Sequence, residues 1–256
     1  SGTALDNKIF SFRAKPDVVR VLSGRFDAVS LANNNSGDYG HDAFRDTMQH
    51  LDNAGIAWFG GGRNLAEAHK PLWIDRKGVK IAVLAYNEFK PRSFEAGADW
   101  PGIAWSEDDH VIADIRAAKA AGADLVIPFM HWGWEREPEA SERQKTLARK
   151  MIDEGAAIVV GGHPHVTQGA ENYQGKSIIY SLGNFVFDGF ELPAAKRGWL
   201  LRIKLDKSGV LFWDTLAAQM DEDGTPWPVS GAFTPCSPGG DMPVSECQWT
   251  APGNAN

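Results

Sequence analysis

Short apolar runs alternate along the chain with stretches in which apolar side chains recur every third or fourth position. The runs Ala28-Val29-Ser30-Leu31, Leu125-Val126-Ile127-Pro128-Phe129 and Ala157-Ile158-Val159-Val160 read as strands, and Ile56-Ala57-Trp58-Phe59 as a buried one. A continuous apolar run bounded by turn residues suits a strand covered on both faces. Helices are predicted over Lys15 to Leu22, with Pro16 in its first turn, and over His41 to Asn53, where Phe44, Met48 and Leu51 keep helical spacing. Two more are predicted over Glu107 to Ala121, with Ser106 as N-cap, and from about Glu139 to Glu154. Pro71 to Asp75 and Val79 to Ala85 flank Arg76-Lys77-Gly78, a hairpin signal, and residues 90–105 are irregular. This strand–helix–strand order implies parallel strands joined by crossovers, an α/β architecture.

After residue 165 the pattern becomes one of short strands separated by glycine-containing turns. Lys176 to Ser181, Trp199 to Leu205 and Val210 to Trp213 are the strand candidates, the last two forming an antiparallel hairpin across Asp206-Lys207-Ser208-Gly209. From Asp221 onward Pro, Gly and Asp dominate. One domain over residues 1–220 is expected, followed by an irregular tail over 221–256.

Chemistry concentrates where the predicted strands run out. Asn34 follows the first run, His131 the third, and Gly162-His163-Pro164-His165 the fourth. Side chains at the carboxyl ends of neighbouring strands converge on one crevice, where α/β sheets bind ligands. Imidazoles with an amide oxygen suit a borderline divalent metal such as Mn, Fe or Zn. Asn34, His131, His163 and His165 are therefore candidate metal ligands. Each has a plainer alternative: consecutive asparagines also form turns, and a strand-end histidine can simply hydrogen-bond locally. His41, His50, His69 and His110 sit among charged residues and are expected at the surface.

Composition narrows the partners. The chain has 256 residues with 43% hydrophobic residues and ten tryptophans, enough to build a core without staples. The net charge of −7, with no basic stripe, argues against nucleic acid and gives no electrostatic reason to seek anionic lipid. No apolar run is long enough to span a bilayer, and Ser1 to Leu5 does not resemble a signal peptide. Cys236 and Cys247 flank a loop-forming stretch; they read as a disulfide in an exported protein or as two unrelated thiols.

Taken in order, the segments Phe26 to Asn34, Asp38-Tyr39-Gly40, Gly55-Ile56 leading to Gly60-Gly61-Gly62, His131-Trp132-Gly133 with Glu135, Gly162 to Val166, and Ile179 to Asp188 closely resemble the CapA family of capsule-biosynthesis proteins. That family is associated with poly-γ-glutamate synthesis and shares the calcineurin-like metallophosphoesterase fold. The resemblance runs from about residue 10 to about residue 190. It implies a sandwich of two mixed sheets flanked by helices, with a dinuclear metal site at the strand ends. Asn34 would be the amide ligand, and His131, His163 and His165 the imidazole ligands. Two ions about 3.5–4 Å apart clamp an oxyanion and activate water in such centres.

Two departures from the family pattern stand out. The family's opening Gly-Asp strand and Asn-Leu-Glu segment, whose carboxylates complete the metal shell, have no counterpart here; relative to the family the domain is truncated at its amino end, and those segments are cut from this sequence, lie on a separate chain or are lost. Three imidazoles and an amide suffice for one ion with open positions. The family's Asn-Asn-His phrase reads Asn33-Asn34-Asn35 here. Asparagine cannot shuttle a proton near pH 7, and loss of a general acid costs about 10²–10⁴ in rate.

Among the remaining polar residues, Glu135 is either an acid–base group or a solvated loop charge, and Asp38 either meets substrate or caps the helix near His41. Arg63, after three glycines, is a candidate contact for an anionic substrate. Lys90 and Arg92, beside Trp100 and Trp105, either line a carboxylate-binding cleft or belong to a surface loop. Asn184 and Asp188 are read as structural. The leading expectation is a metal-dependent hydrolase or transferase acting on an acidic polymer, poly-γ-glutamate, outside the cell or in its envelope. Its rivals are a non-catalytic accessory protein that binds polymer or membrane synthase subunits, and a general metallophosphoesterase.

Overall fold

The computed structural model describes residues 1–6 and 8–229. A 3-10 turn (Pro16–Val18) runs into α1 (Val19–Leu22), followed by β1 (Ala28–Ser30) and α2 (Gly40–Asn53). Next come β2 (Ala57–Phe59), β3 (Gly61–Gly62) and α3 (Leu65–Ala68). The predicted hairpin is β4 (Leu72–Arg76) and β5 (Val79–Asn87), closed by Lys77 and Gly78 at φ 52° and 76°; a two-residue turn with both φ positive matches the strand twist. Then follow β6 (Gly102–Ile103), α4 (Asp108–Ala120), β7 (Leu125–His131), α5 (Glu142–Asp153) and β8 (Val159–Gly162). The remaining strands are β9 (Thr167–Tyr173), β10 (Lys176–Leu182), β11 (Arg197–Asp206), β12 (Gly209–Met220) and β13 (Pro226–Pro228).

The central sheet has the order β4-β5-β7-β8-β10-β9. Its four inner strands are parallel, and antiparallel strands close both edges. Helices α4 and α5 cover one face, burying Val111, Ile115, Leu147 and Met151 against Leu84, Val126, Met130 and Ile178. The other face packs on the antiparallel sheet β11-β12-β13, where Trp213 sits with Ile158, Val160 and Ile179. The indole N–H of Trp213 donates to Ser177 Oγ at 2.7 Å, so a buried polar atom is satisfied between the sheets. Residues of β11 alternate between half-buried and exposed, as expected of a sheet with one wet face. No helix among the described residues is long and apolar enough to cross a membrane.

Several expectations need correction. Ala57 to Phe59 forms a strand but not a buried one, because among the described residues it pairs only with β1 and the Trp58 indole N–H reaches out to Asp52 at 2.7 Å. Ser106 does not cap α4; Glu107 holds that position, and the Ser106 hydroxyl donates to the Glu88 carboxylate at 2.8 Å. α5 begins later than predicted, where Ser141 and Gln144 form a reciprocal capping box. Strand β9 is absent from the sequence reading because Thr167-Gln168-Gly169-Ala170-Glu171-Asn172 lacks an apolar signature. At the carboxyl end, β13 pairs with β12 through Pro228, so sheet structure continues past residue 220; a proline there suits an edge. Cys236 and Cys247, and with them the disulfide expectation, lie outside the described residues.

Gly161 fixes how closely β8 and β10 meet. A Cβ there would lie 2.2 Å from the Tyr180 carbonyl oxygen and 2.4 Å from Trp132 Nε1, the two partners of a buried hydrogen bond of 2.9 Å. Gly161→Ala is expected to lower stability by about 1–3 kcal/mol, the usual cost of overpacking; denaturant unfolding with an unchanged midpoint would refute this.

Candidate metal centre

Parallel pairing aligns the carboxyl ends of β5, β7 and β8. Asn87 stands opposite His131, and His131 opposite Gly162, so His163 emerges beside His131. The rings of His131 and His163 are 4.6 Å apart, and those of His163 and His165 are 5.8 Å apart. Both residues of the His-Pro-His turn occupy left-handed backbone, φ 98° at His163 and 61° at His165. A non-glycine residue in that region costs of order 1–3 kcal/mol and persists only when its surroundings demand it. Here the surroundings are named: Trp132 N–H donates to the Gly162 carbonyl, and Arg136 N–H to the Pro164 carbonyl at 2.7 Å.

That second bond brings the loop after β7 onto the turn. Glu135, His163 and His165 each offer a donor atom within 4.8 Å of the others. Asn34 completes the neighbourhood from the loop after β1, its Oδ1 lying 2.9 Å from His131 Nε2. When Nε2 carries the proton this contact is a hydrogen bond; when it does not, two donor atoms at that spacing can share one cation. The structure thus places two adjacent donor groups, Asn34 with His131 and Glu135 with His163 and His165.

His163 is the test of whether the set fits an ion. It is buried, 6% exposed, and neither ring nitrogen has a hydrogen-bond partner among the described residues. A buried polar atom left unpaired costs about 1–3 kcal/mol, so both nitrogens empty-handed ask for a ligand that is not a protein atom. Burial, reinforced by His165, pushes the His163 pKa down to about 3. Burial, then His163 and His165, likewise holds His131 well below the usual imidazole value. Neutral imidazole is the ligating form, so these residues are in the right state to bind a cation without first losing a proton. The donor set of imidazole, amide oxygen and carboxylate fits a divalent metal.

Supporting residues that the sequence reading treated as background hold the donors in place. Asn184 is buried, with Oδ1 2.7 Å from His165 Nδ1 and Nδ2–H donating to the His165 and Ala195 carbonyls. A ligand histidine fixed through its other nitrogen is the usual outer-shell device. Gln144 donates to Gln168 at 2.8 Å in the interior, and Gln168 donates on to the Glu137 and Glu139 carbonyls. This chain pins the loop that carries Glu135. Phe89 packs on His163 at 4.1 Å between ring centres.

Other predicted residues are committed elsewhere. Asp38 neither caps α2, whose N-cap is Tyr39, nor stands free; buried, it pairs with the Lys8 ammonium and accepts from Phe12 N–H at 2.7 Å. It also accepts from the Asn35 amide at 3.0 Å, and both residues line a cavity of ≈ 690 Å³ beside α2 that none of the three histidines lines. Arg63 is paired with Asp52 and Glu67, and Arg92 with Glu95 and Glu107. His69, expected at the surface, is largely buried against Asp114 at 2.7 Å, and His41 stacks on Phe94.

Comparison with solved structures defines the class first. The 5'-nucleotidase precursor of Thermus thermophilus matches with a TM-score of 0.51 at 14% identity, over 79% of this chain and 40% of that one. The NAD nucleotidase NadN of Haemophilus influenzae matches at 0.53 and 13%, over 84% and 46%. At such identities the likeness shows the fold alone: α/β and metallophosphoesterase-like. The family model described as bacterial capsule synthesis protein PGA_cap matches residues 1–189, and the chain belongs to that family. The capsule biosynthesis protein CapA of Bacillus anthracis is 34% identical over 242 residues, 89% of this chain and 56% of that protein. The PGA biosynthesis protein CapA of Bacillus subtilis is 34% identical over 87% of this chain and 58% of its own length. A probable polyglutamine synthesis accessory protein of Mycobacterium tuberculosis is 32% identical over 73% and 52%. The chain spans about half the length of the curated relatives it matches.

The depressed His163 value sets a pH window. Unfolded, the ring titrates near ~6.5; folded, at about 3. Between these the unfolded chain binds the extra proton, so stability of the metal-free protein should be full above the upper value and fall as pH drops through the window. Urea unfolding at stepped pH should show a shallower fall for His163→Asn than for wild type; parallel curves would contradict the assignment.

Proposed function

We propose that this domain is a metal-dependent hydrolase or transferase in the synthesis or processing of poly-γ-glutamate, working at the cell envelope or outside the cell. The observation that carries the reading is the buried His163 ring, with both nitrogens unpaired, set among Glu135, His165, His131 and Asn34. Membership of the PGA_cap family and the names of the Bacillus relatives supply the polymer. His163, His165 and Glu135 would hold one divalent ion, and Asn34 with His131 an adjacent one; Mn, Fe and Zn all tolerate this donor set. A divalent ion there supplies Lewis-acid polarisation of a carbonyl or phosphoryl oxygen.

The chain's own groups then divide the work. Asn184 orients His165 through its Nδ1, leaving Nε2 to the ion. Hydrolysis of a γ-glutamyl amide adds water across the C–N bond, leaving a carboxylate and an amine that must gain a proton. Asn35 cannot give it, and its amide is held by Asp38. The added water supplies it, its second proton passing to the amine, while Glu135 would stay on the ion as a ligand.

A second reading is a non-catalytic accessory that binds polymer or membrane synthase subunits. The lost proton donor at Asn35 and the name of the mycobacterial relative favour it. The further reading, a general metallophosphoesterase, rests on the fold class alone.

Metal content after reconstitution, polymer chain length and aryl phosphate turnover separate the three. We expect retained Mn, Fe or Zn and shortening of poly-γ-glutamate, with His163→Ala and His165→Ala losing the metal and at least ~100-fold in rate. Polymer shortening that persists in the double variant would overturn the catalytic reading. Bound metal without turnover of either substrate would favour the accessory role.

A further inference from the structure

Aromatic rings pack around His163 and His165, and beside them stands the guanidinium of Arg136. Phe187 and Phe190 lie 5.1 and 4.9 Å from the His165 ring and 4.8 Å from each other. Next to His163, Phe89 packs on the ring and meets Trp134, 65% exposed, edge-on at 5.8 Å. The Arg136 guanidinium lies 6.0 Å from the centre of the Phe190 ring. It makes no ion pair and no side-chain hydrogen bond among the described residues, although Glu135, Glu137 and Glu139 share its loop. Arg63 and Arg92, the arginines that sequence alone offers for an anionic substrate, are each neutralised by two carboxylates.

Arg136 is also fixed. Its backbone is left-handed, φ 66°, and its N–H is the one that donates to the Pro164 carbonyl inside the His-Pro-His turn. The guanidinium therefore stands one ring away from His165, on a support tied to the ligands themselves.

We propose that Arg136 is a specificity-determining residue that binds a free carboxylate of a γ-linked glutamyl unit next to the bond being processed, with Phe190 and Phe187 packing on that unit's methylenes. The inference rests on the poly-γ-glutamate reading above. Its chemistry is direct. A γ-linked unit exposes an α-carboxylate and a two-carbon apolar stem, and a planar guanidinium pairs a carboxylate through two parallel hydrogen bonds. An aromatic face beneath the guanidinium leaves its edge donors available while excluding water from one side. An α-linked glutamate polymer places its carboxylate at the far end of that stem and fits the same pair of groups poorly.

The test uses binding, so it does not depend on turnover. The probe is a γ-linked glutamate oligomer titrated into the manganese-loaded protein, alongside its methyl ester and an α-linked oligomer of equal length. Wild type is expected to bind the free γ-acid at least ~10-fold more tightly than the ester, a difference of about 1.4 kcal/mol. Arg136→Ala should abolish that preference with metal content unchanged, Arg136→Lys should restore part of it, and Phe190→Leu should weaken acid and ester alike. Equal preference in wild type and Arg136→Ala would overturn the inference while leaving the metal reading intact. Loss of manganese in Arg136→Ala would overturn it in favour of a positioning role. A wild type that binds none of the oligomers would remove the polymer reading and this inference together.

Discussion

A histidine ring buried without a hydrogen-bond partner among the described residues, on backbone that an L-residue avoids, is the constraint around which this fold is arranged. Left alone, His163 would be destabilising twice over, through unsatisfied nitrogens and through a strained φ. Natural sequences keep such a residue where surrounding structure over-determines it, and the surroundings here are unusually specific. The parallel register puts Gly162 across from His131, the turn carbonyls accept from Trp132 and Arg136, and Phe89 lies on the ring. Two segments supply these contacts: the end of β7 with the loop that follows it, and the loop after β5. None of them is apolar burial alone.

The layers explain why the segments stay put. The inner strands are packed on both faces, by α4 and α5 on one side and by the β11–β12 hairpin on the other, so their ends cannot slide without disturbing two cores at once. Rigid strands carry His131 and the start of the His163 turn. The partner groups, Asn34 and Glu135, come from loops, and each loop is tied down by polar chemistry: Asn35 and Asp38 for the first, Gln168 and Gln144 for the second. Precision at the centre thus comes from strands, and adaptability at its mouth from loops held by a few hydrogen bonds.

Much of this was legible in the chain before any coordinates. The apolar runs gave the parallel strands, and reading what lies just past each run gave Asn34, His131, His163 and His165. What stayed hidden has a common cause. β9 is a polar edge strand, recognisable only once β10 is there to pair with it. Asn184, read as structural, and Gln144 and Gln168 act through interior hydrogen bonds whose partners lie up to 31 residues away, a separation no local pattern encodes. Asp38 looked like a cap because it precedes a helix, yet its carboxylate turns back to Lys8 and Phe12. Arg63 and Arg92 looked free because their carboxylate partners are distant in sequence or lie a helical turn away. A signal for Asn184 did exist: an asparagine after a positive-φ glycine at a strand end is a common place for a side chain to hold a neighbouring backbone.

The three consecutive asparagines show what kind of change this site tolerates. Asn33 Oδ1 accepts from the Asn35 backbone N–H, Asn34 faces His131, and the Asn35 amide is held by Asp38. Identical side chains thus perform three unlike jobs purely by their place in the count. Swapping one amide for another small polar group perturbs a single job, whereas inserting or deleting one residue reassigns all three. The length of this loop is therefore its stricter constraint.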